Sequence, residues 1–399
     1  MRLSDICEVY SGYALKSFSD SEEGLPVVKI GNILADGTLN LTKCQYTSEV
    51  VNEKYFSNYG DIYIALSGAT TGKIGIMNTD KKYIINQRVG IVRKKMDNIP
   101  QGYIKYFLLH QTDRILQEAA GCAQPNISPK QIAEYLVPEI HEEKMMYVCD
   151  TLDKTKCVID LQKQQLEQLD LLIKARFVEI FGDPVSNPKG WNRISLDDCI
   201  ESIDNGKSFI CDANARTDDK PAILKLSSVT YGVYRPNENK AIIDENDFVE
   251  TAEVQNGDLL FTRKNTPELV GMSAYVEKTP RKLMMPDLIF RLNTKDNCNK
   301  VYLWKLINHE LFRGQIQSIA NGSAKSMSNI SKERLLGLSI CLPPLELQNE
   351  FADFVTQVDK SKFDTEMLNL MVHTSNLIIN LEKIKGKILV ISGTNDMIK

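Results

Sequence analysis

PNISPKQIAEYLVPEI, residues 125–140, returns later in the chain as SNISKERLLGLSICLPPL, residues 328–345. That echo is the last in a series. LSDICEVYSG at 3–12 matches LDDCIESIDNG at 196–206, and VVKIGNILADG at 27–37 matches ILKLSSVTYG at 223–232. YGDIYIAL at 59–66 then matches NGDLLFTR at 256–263, and YIKYFLLHQ at 103–111 matches YLWKLINHE at 302–310. LDKTK at 152–156 and VDKSK at 358–362 follow the NIS segments. The order is kept throughout and the offset drifts only from 192 (Cys7 to Cys199) to 206 (Asp153 to Asp359). A repeat of this kind decides the architecture: one unit has been duplicated in tandem.

Each unit divides in two. Its first part mixes short β-branched runs such as VVKI, DIYIAL and RVGIV with Gly, Asn and Asp punctuation, and an amphipathic stretch predicts a helix over Gln101–Glu118. That reads as a compact α/β domain, spanning 1–138 in the first copy and 183–343 in the second. The second part, 139–182 and 344–399, is free of such punctuation over most of its length. Met145, Leu152, Ile159, Leu166, Ile173 and Ile180 recur every seven residues, the signature of a long helix packed on another. The partner predicted for it carries Phe351, Val358, Thr365, Val372 and Ile379 at the same spacing, with polar Thr365, Thr155 and Gln162 interrupting the seam and fixing register. FGDPVSNPKGW at 181–191 stops the first helix with Gly182 and Pro184.

Composition narrows the function. The 399 residues are 43% hydrophobic and 25% charged, which is ordinary for a globular protein of several domains. The N-terminal residues form no signal-peptide core, no apolar run is of bilayer length, and nine cysteines without a CxxC pair fit free thiols, so the expected compartment is the cytoplasm. LSGATTGKIG at 66–75 looks like a phosphate-binding loop but fails twice. Gly68 and Gly72 stand one residue too close, and Ile74 follows Lys73 where a hydroxyl is needed for magnesium. LPPL at 342–345 lacks the flanks of an amino-methyltransferase tetrad. An enzyme using the false phosphate loop and a coiled-coil scaffold without nucleic acid are the rival readings; neither explains two domains with rewritten polar loops.

The alternation of two domains with two long helices, the NIS segments before Pro-ended strands, and the FGDPxxNPKGW linker together resemble the specificity (S) subunit of type I restriction-modification systems. The resemblance covers nearly the whole chain. It implies two target recognition domains, each reading one half of a split sequence in double-stranded DNA, and an antiparallel coiled coil that gives the chain an internal pseudo-twofold repeat. It implies further that the helices set the half-site spacing and dock two methyltransferase subunits, with restriction subunits joining through the complex or absent in a methyltransferase-only system. The chain itself is then not an enzyme. S-adenosylmethionine, ATP and magnesium belong to the partners, and no metal, cofactor or membrane is expected on this chain.

Under that reading the false phosphate loop becomes a base reader. Arg and Lys suit guanine, Asn and Gln suit adenine, and Thr suits the thymine methyl. The expected DNA-binding residues of the first domain are Lys29, Asn32, Ser67, Thr70, Thr71, Lys73, Asn86, Gln87, Arg88, Gln124 and Asn126. In the second they are Lys225, Arg263, Lys264, Asn265, Thr266, Lys325 and Ser326. In the repeat SGATTGKIG faces RKNTPELVG, with Gly75 expected opposite Gly271. The net charge of −4 lies on the helical segments and tail, and both domains are close to neutral. Such domains hold DNA weakly alone, so phosphate contacts are expected largely from partner subunits.

Overall fold

The computed structural model describes residues 1–120, 125–321 and 327–362. The chain forms two compact units, Met1–Ile159 and from Asp160 onward.

In the first unit the strands are β1 (Cys7–Ser11), β2 (Leu25–Val28), β3 (Gln45–Thr47), β4 (Ile62–Ala65), β5 (Ile74–Ile76), β6 (Ile84–Ile85) and β7 (Val89–Lys94). They form an antiparallel sheet in the order β1-β7-β4-β5 and a smaller sheet β3-β2-β6 in which β2 and β6 run parallel. Alternation along β4 sends Ile62 and Ile64 to one core and Tyr63 and Ala65 to another, so the main sheet is buried on both faces. The stretch 101–119 breaks into α1 (Gln101–His110) and α2 (Thr112–Ala119), where one helix was expected. The Thr112 hydroxyl donates back to the Leu109 carbonyl and Gln111 leaves the helical region, which separates the two axes.

The second unit repeats this frame. The strands that match those of the first unit are β8 (Ile200–Asn205), β9 (Ala222–Leu224), β10 (Asn239–Ala241), β11 (Leu259–Thr262), β12 (Ser273–Tyr275), β13 (Leu283–Met284) and β14 (Ile289–Thr294). The sheets run β8-β14-β11-β12 and β10-β9-β13, again with the central strand β9 parallel to the edge strand β13. Strand for strand, this is the order of the first unit. The segment that follows each NIS returns to the start of its own domain. Val137 donates to the Met1 carbonyl in the first unit, and 339–342 pairs with 192–195 in the second.

The helix α3 (Glu142–Phe181) extends for 40 residues. Its first turns serve the first domain, since Met145 and Cys149 join that domain's core rather than a seam reserved for another helix. Asp153 receives hydrogen bonds from Tyr106 at 2.5 Å and Lys105 at 3.1 Å, fastening α1 to α3. In the second unit Ile173, Phe177 and Phe181 share a core with Phe351, Val355 and Val358 of a helix spanning 345–362. Lys362 pairs with Asp170 at 2.7 Å and Glu350 with Arg176 at 2.6 Å. Leu152, Ile159 and Leu166 are half-buried and Gln162 is buried. Thr365, Val372 and Ile379 lie outside the described residues. The linker after α3 folds back on it, with Gly182 in the left-handed region and the Trp191 indole donating to the Phe181 carbonyl at 2.8 Å.

No described helix is long and apolar enough to cross a membrane.

Candidate nucleic-acid interface

The loop 66–73 begins where β4 ends. Its amides are already committed: Gly68 donates to Pro125, Thr71 to Gly68, Gly72 to Ala65 and Lys73 to Thr70, at 2.9–3.2 Å. A phosphate cradle requires such N–H groups to be free and convergent, so the geometry removes the nucleotide reading as firmly as the sequence defects do. Gly72 adopts φ 82°, which lets the chain turn back into β5.

Neighbouring segments gather around this loop. Ser67 bridges to Asn126, the Leu66 amide donates to the Arg88 carbonyl, and the Ile30 side chain lies 3.6 Å from where a Cβ on Gly68 would project. The structure therefore brings Lys29, the 67–73 loop, the turn 86–88 and Asn126 to one edge of the domain. Gln87, Arg88 and Asn126 are exposed there. Ser67, Thr70 and Lys73 are half-exposed, and the Thr70 hydroxyl is buried without a partner. Three other expected readers are held inside. The Asn32 amide donates to the Asn40 and Lys43 carbonyls and its oxygen accepts from Lys29 N. Asn86, buried, accepts from Arg88 N, and the Thr71 hydroxyl donates to Gly68 at 2.6 Å. These side chains shape the loops. Lys29 is intermediate in character: its ammonium lies 3.3 Å over the Phe18 ring and donates to Gln45, and burial lowers its pKa.

The same edge exists in the second unit. Lys264 and Asn265 pair with Asn329 and Ser328, as Ser67 bridges to Asn126. Hydrogen bonds set a different register from the one the letters suggest. Gly72 donates to Ala65 and Gly271 to Thr262, while Ala65 donates to the Lys73 carbonyl and Thr262 to that of Met272. Gly271 is thus the counterpart of Gly72, not of Gly75; Lys264 matches Ser67, and the second loop is two residues longer. Lys264 is half-exposed. Arg263 is pinned by Asn329 and by stacking 5.0 Å over Phe290. Asn265 is buried, donating to Thr230 and accepting from Thr266 N, and the Thr266 hydroxyl is buried without a partner. Lys225 faces Glu238 at 3.9 Å. Gln124, Lys325 and Ser326 lie outside the described residues.

One position was overlooked in the sequence. The turn 86–88 has its equivalent at 286–288, since Gly12 and Gly206 donate to Val89 and Ile289, and Tyr13 and Lys207 to Ile85 and Met285. Asp287 stands where the first unit has Gln87. The signal was a shared pattern of paired aliphatics before the turn, IINQRV against MMPDLI, hidden because no residue of the turn itself is kept.

The family model for the type I restriction modification DNA specificity domain matches residues 1–171 and 188–370, and the chain belongs to that family. Over 185 residues it is 31% identical to the EcoEI specificity subunit of Escherichia coli, covering 45% of this chain and 31% of that protein. Over 377 residues it is 22% identical to the EcoKI specificity subunit of Escherichia coli, covering 89% and 80%. Thus the chain spans about a third of the first relative and most of the second. In fold it resembles the S subunit crystallised from M. genitalium, at TM-score 0.58 and 12% identity over 94% of this chain and 92% of that one. A chain from work on complex assembly and conformational transition of the type I R-M system gives TM-score 0.51 at 16% identity, covering 98% and 95%.

Proposed function

We propose that the chain is the DNA specificity subunit of a type I restriction-modification complex, with domain 1–138 reading one half of a bipartite target and domain 183–343 the other. The observation that supports this most is a repeated frame whose edge loops are largely rewritten: Ser67, Gln87 and Arg88 face Lys264, Asp287 and Leu288, while Asn126 is kept as Asn329. A frame kept while its loops are rewritten suits two readers of different base edges. On this reading Ser67, Thr70, Lys73, Gln87, Arg88 and Asn126 are the base-reading candidates of the first domain, and Lys264 that of the second. Segments 139–182 and 344–399 act as an antiparallel coiled coil, a sense supported by the pairs Asp170–Lys362 and Arg176–Glu350, whose numbering runs in opposite directions. The coil fixes the half-site spacing and docks two methyltransferase subunits, through which restriction subunits join. The chain performs no chemistry: the partners hold S-adenosylmethionine, ATP and magnesium. They also supply much of the phosphate contact, given the near-neutral domains.

The test is exchange of residues 1–138 for the equivalent domain of another such subunit, followed by mapping methylated sites in cells that carry the methyltransferase. One half of the motif should change and the other stay. A change in both halves refutes the two-reader assignment.

A further inference from the structure

We infer that Asp287 is a base-reading residue of the second domain, and that the base it reads is a cytosine. The inference rests on the two-reader function proposed above and deepens it by naming a residue and a base.

Position comes first. Gln87 sits on the exposed turn at the reading edge of the first unit, its amide donating to the Tyr13 carbonyl at 2.8 Å. In the second unit the amide of Ile289 closes the matching turn on Pro286 at 3.1 Å, as Val89 closes on Asn86 at 2.9 Å. Asp287 therefore occupies the place of Gln87. Arg263 donates its amide to the Leu288 carbonyl at 3.0 Å, which seats the turn against the base of the loop carrying Lys264.

Chemistry selects the base. The Ser208 hydroxyl donates to Asp287 Oδ1 at 2.5 Å and fixes the carboxylate. Among the described residues neither oxygen meets a cation in an ion pair, and Oδ2 has no hydrogen bond. A carboxylate facing DNA is repelled by phosphates, so it contributes only where it meets a base-edge donor. In the major groove these donors are the exocyclic amines of cytosine and adenine. Adenine presents its N7 acceptor beside that amine and repels a second carboxylate oxygen; cytosine presents a C–H there. The aspartate thus favours cytosine, where the amide of Gln87, able to donate and accept, favours adenine. Ser208 acts as a positioning residue.

The experiment is a methylated-motif map for the complete complex carrying Asp287→Asn, Ser208→Ala or Gln87→Ala, with the half-sites assigned by the exchange of residues 1–138. The wild-type half-site of the second domain should contain cytosine at one position. Asp287→Asn should lower the preference for cytosine there by about tenfold or more and shift it toward adenine, leaving the other half-site untouched. Ser208→Ala should relax the same position less, and Gln87→Ala should act only on the other half-site. An unaltered motif with reduced total methylation would mean that Asp287 merely holds the turn, and a half-site without cytosine would equally overturn the assignment. If Asp287→Asn changes both halves, the two-reader function itself is at fault.

Discussion

The two domains hold the same buried ion pair with arginines from different positions. In the first, Arg93 reaches Asp61 at 2.6 and 2.9 Å and donates to the Phe56 and Lys54 carbonyls. In the second, Arg291 reaches Asp258 at 2.9 Å and donates to the Glu253 and Thr251 carbonyls, the equivalent groups. Yet Tyr63 pairs with Ile91 and its counterpart Leu260 pairs with Arg291, so Arg291 stands where the first domain has Ile91, two residues before the site matching Arg93. Both positions face the same side of the strand, because side chains alternate with period two. In the first domain the Tyr63 hydroxyl also reaches Asp61, at 3.4 Å; its counterpart Leu260 has no such group. What the duplication preserved is a contact, not a sequence position.

Breaking that contact is the strongest test of equivalence. Arg93→Met and Arg291→Met each leave a carboxylate, 3% and 9% exposed, without its partner. Each should destabilise its own domain by about 3–5 kcal/mol, read from urea unfolding. A large loss in one domain and none in the other would show that the relocated arginine does not do the same work. Next in size are Gly12→Ala and Gly206→Ala. A Cβ would stand 2.2 Å from the Ile85 carbonyl oxygen and 2.1 Å from that of Pro286, so backbone must move in both. Losses of roughly 1–3 kcal/mol or more should follow in both domains, measured the same way. Wild-type stability in either variant would contradict the close approach.

These contacts explain what was legible in the sequence. Strands, the long helix and the repeat were readable because aliphatic periodicity survives duplication. The loop register was not. Gly75 and Gly271 look alike in letters, whereas the glycine that turns the chain is identified by the hydrogen bond it donates to Ala65 or Thr262. Asn32, Asn86 and Asn265 misled for a related reason: the amide that suits adenine also suits loop carbonyls, and only burial tells them apart. Met145 fitted the heptad because the domain core and a helical seam both ask for an apolar side chain at that spacing.

The contrast between Asn86 and Arg88 sharpens the site itself. Asn86→Ala removes a buried acceptor from Arg88 N and should lower stability by about 1 kcal/mol. Arg88 is exposed, so Arg88→Ala should alter stability by no more than about 0.5 kcal/mol while weakening DNA binding of the complex. Unfolding and DNA titrations of both variants check this; an Arg88→Ala variant that loses stability without losing DNA affinity would remove Arg88 from the interface.

The smallest expected difference separates the helices α1 and α4 (Lys300–Asn308), each anchored by an equivalent tyrosine, Tyr103 on the Pro138 carbonyl and Tyr302 on that of Cys341. Three residues on, the first has Tyr106 bonded to Asp153 and the second has Lys305, its ammonium 3.5 Å over the Trp304 ring. Burial, opposed by Asp359 and assisted by Lys362, lowers the Lys305 pKa to about 8 from 10.5. The unfolded chain then holds a proton between those values that the folded chain has released, so this group's contribution to stability rises with pH from 8 to 10.5. Lys305→Met removes the charge, keeps the stem, and should be more stable than wild type at about pH 7, with the gap closing toward about pH 10. Tyr106 behaves oppositely. Burial and the Asp153 carboxylate raise its pKa above 10.0, so its contribution is present below pH 10 and lost above it. Urea midpoints at about pH 7, 9 and 10 for wild type and Lys305→Met decide the matter, because other groups titrating in that range cancel in the difference. Parallel curves would mean that Lys305 stays protonated and hydrated, and that the two helices are anchored alike despite the exchange of tyrosine for lysine.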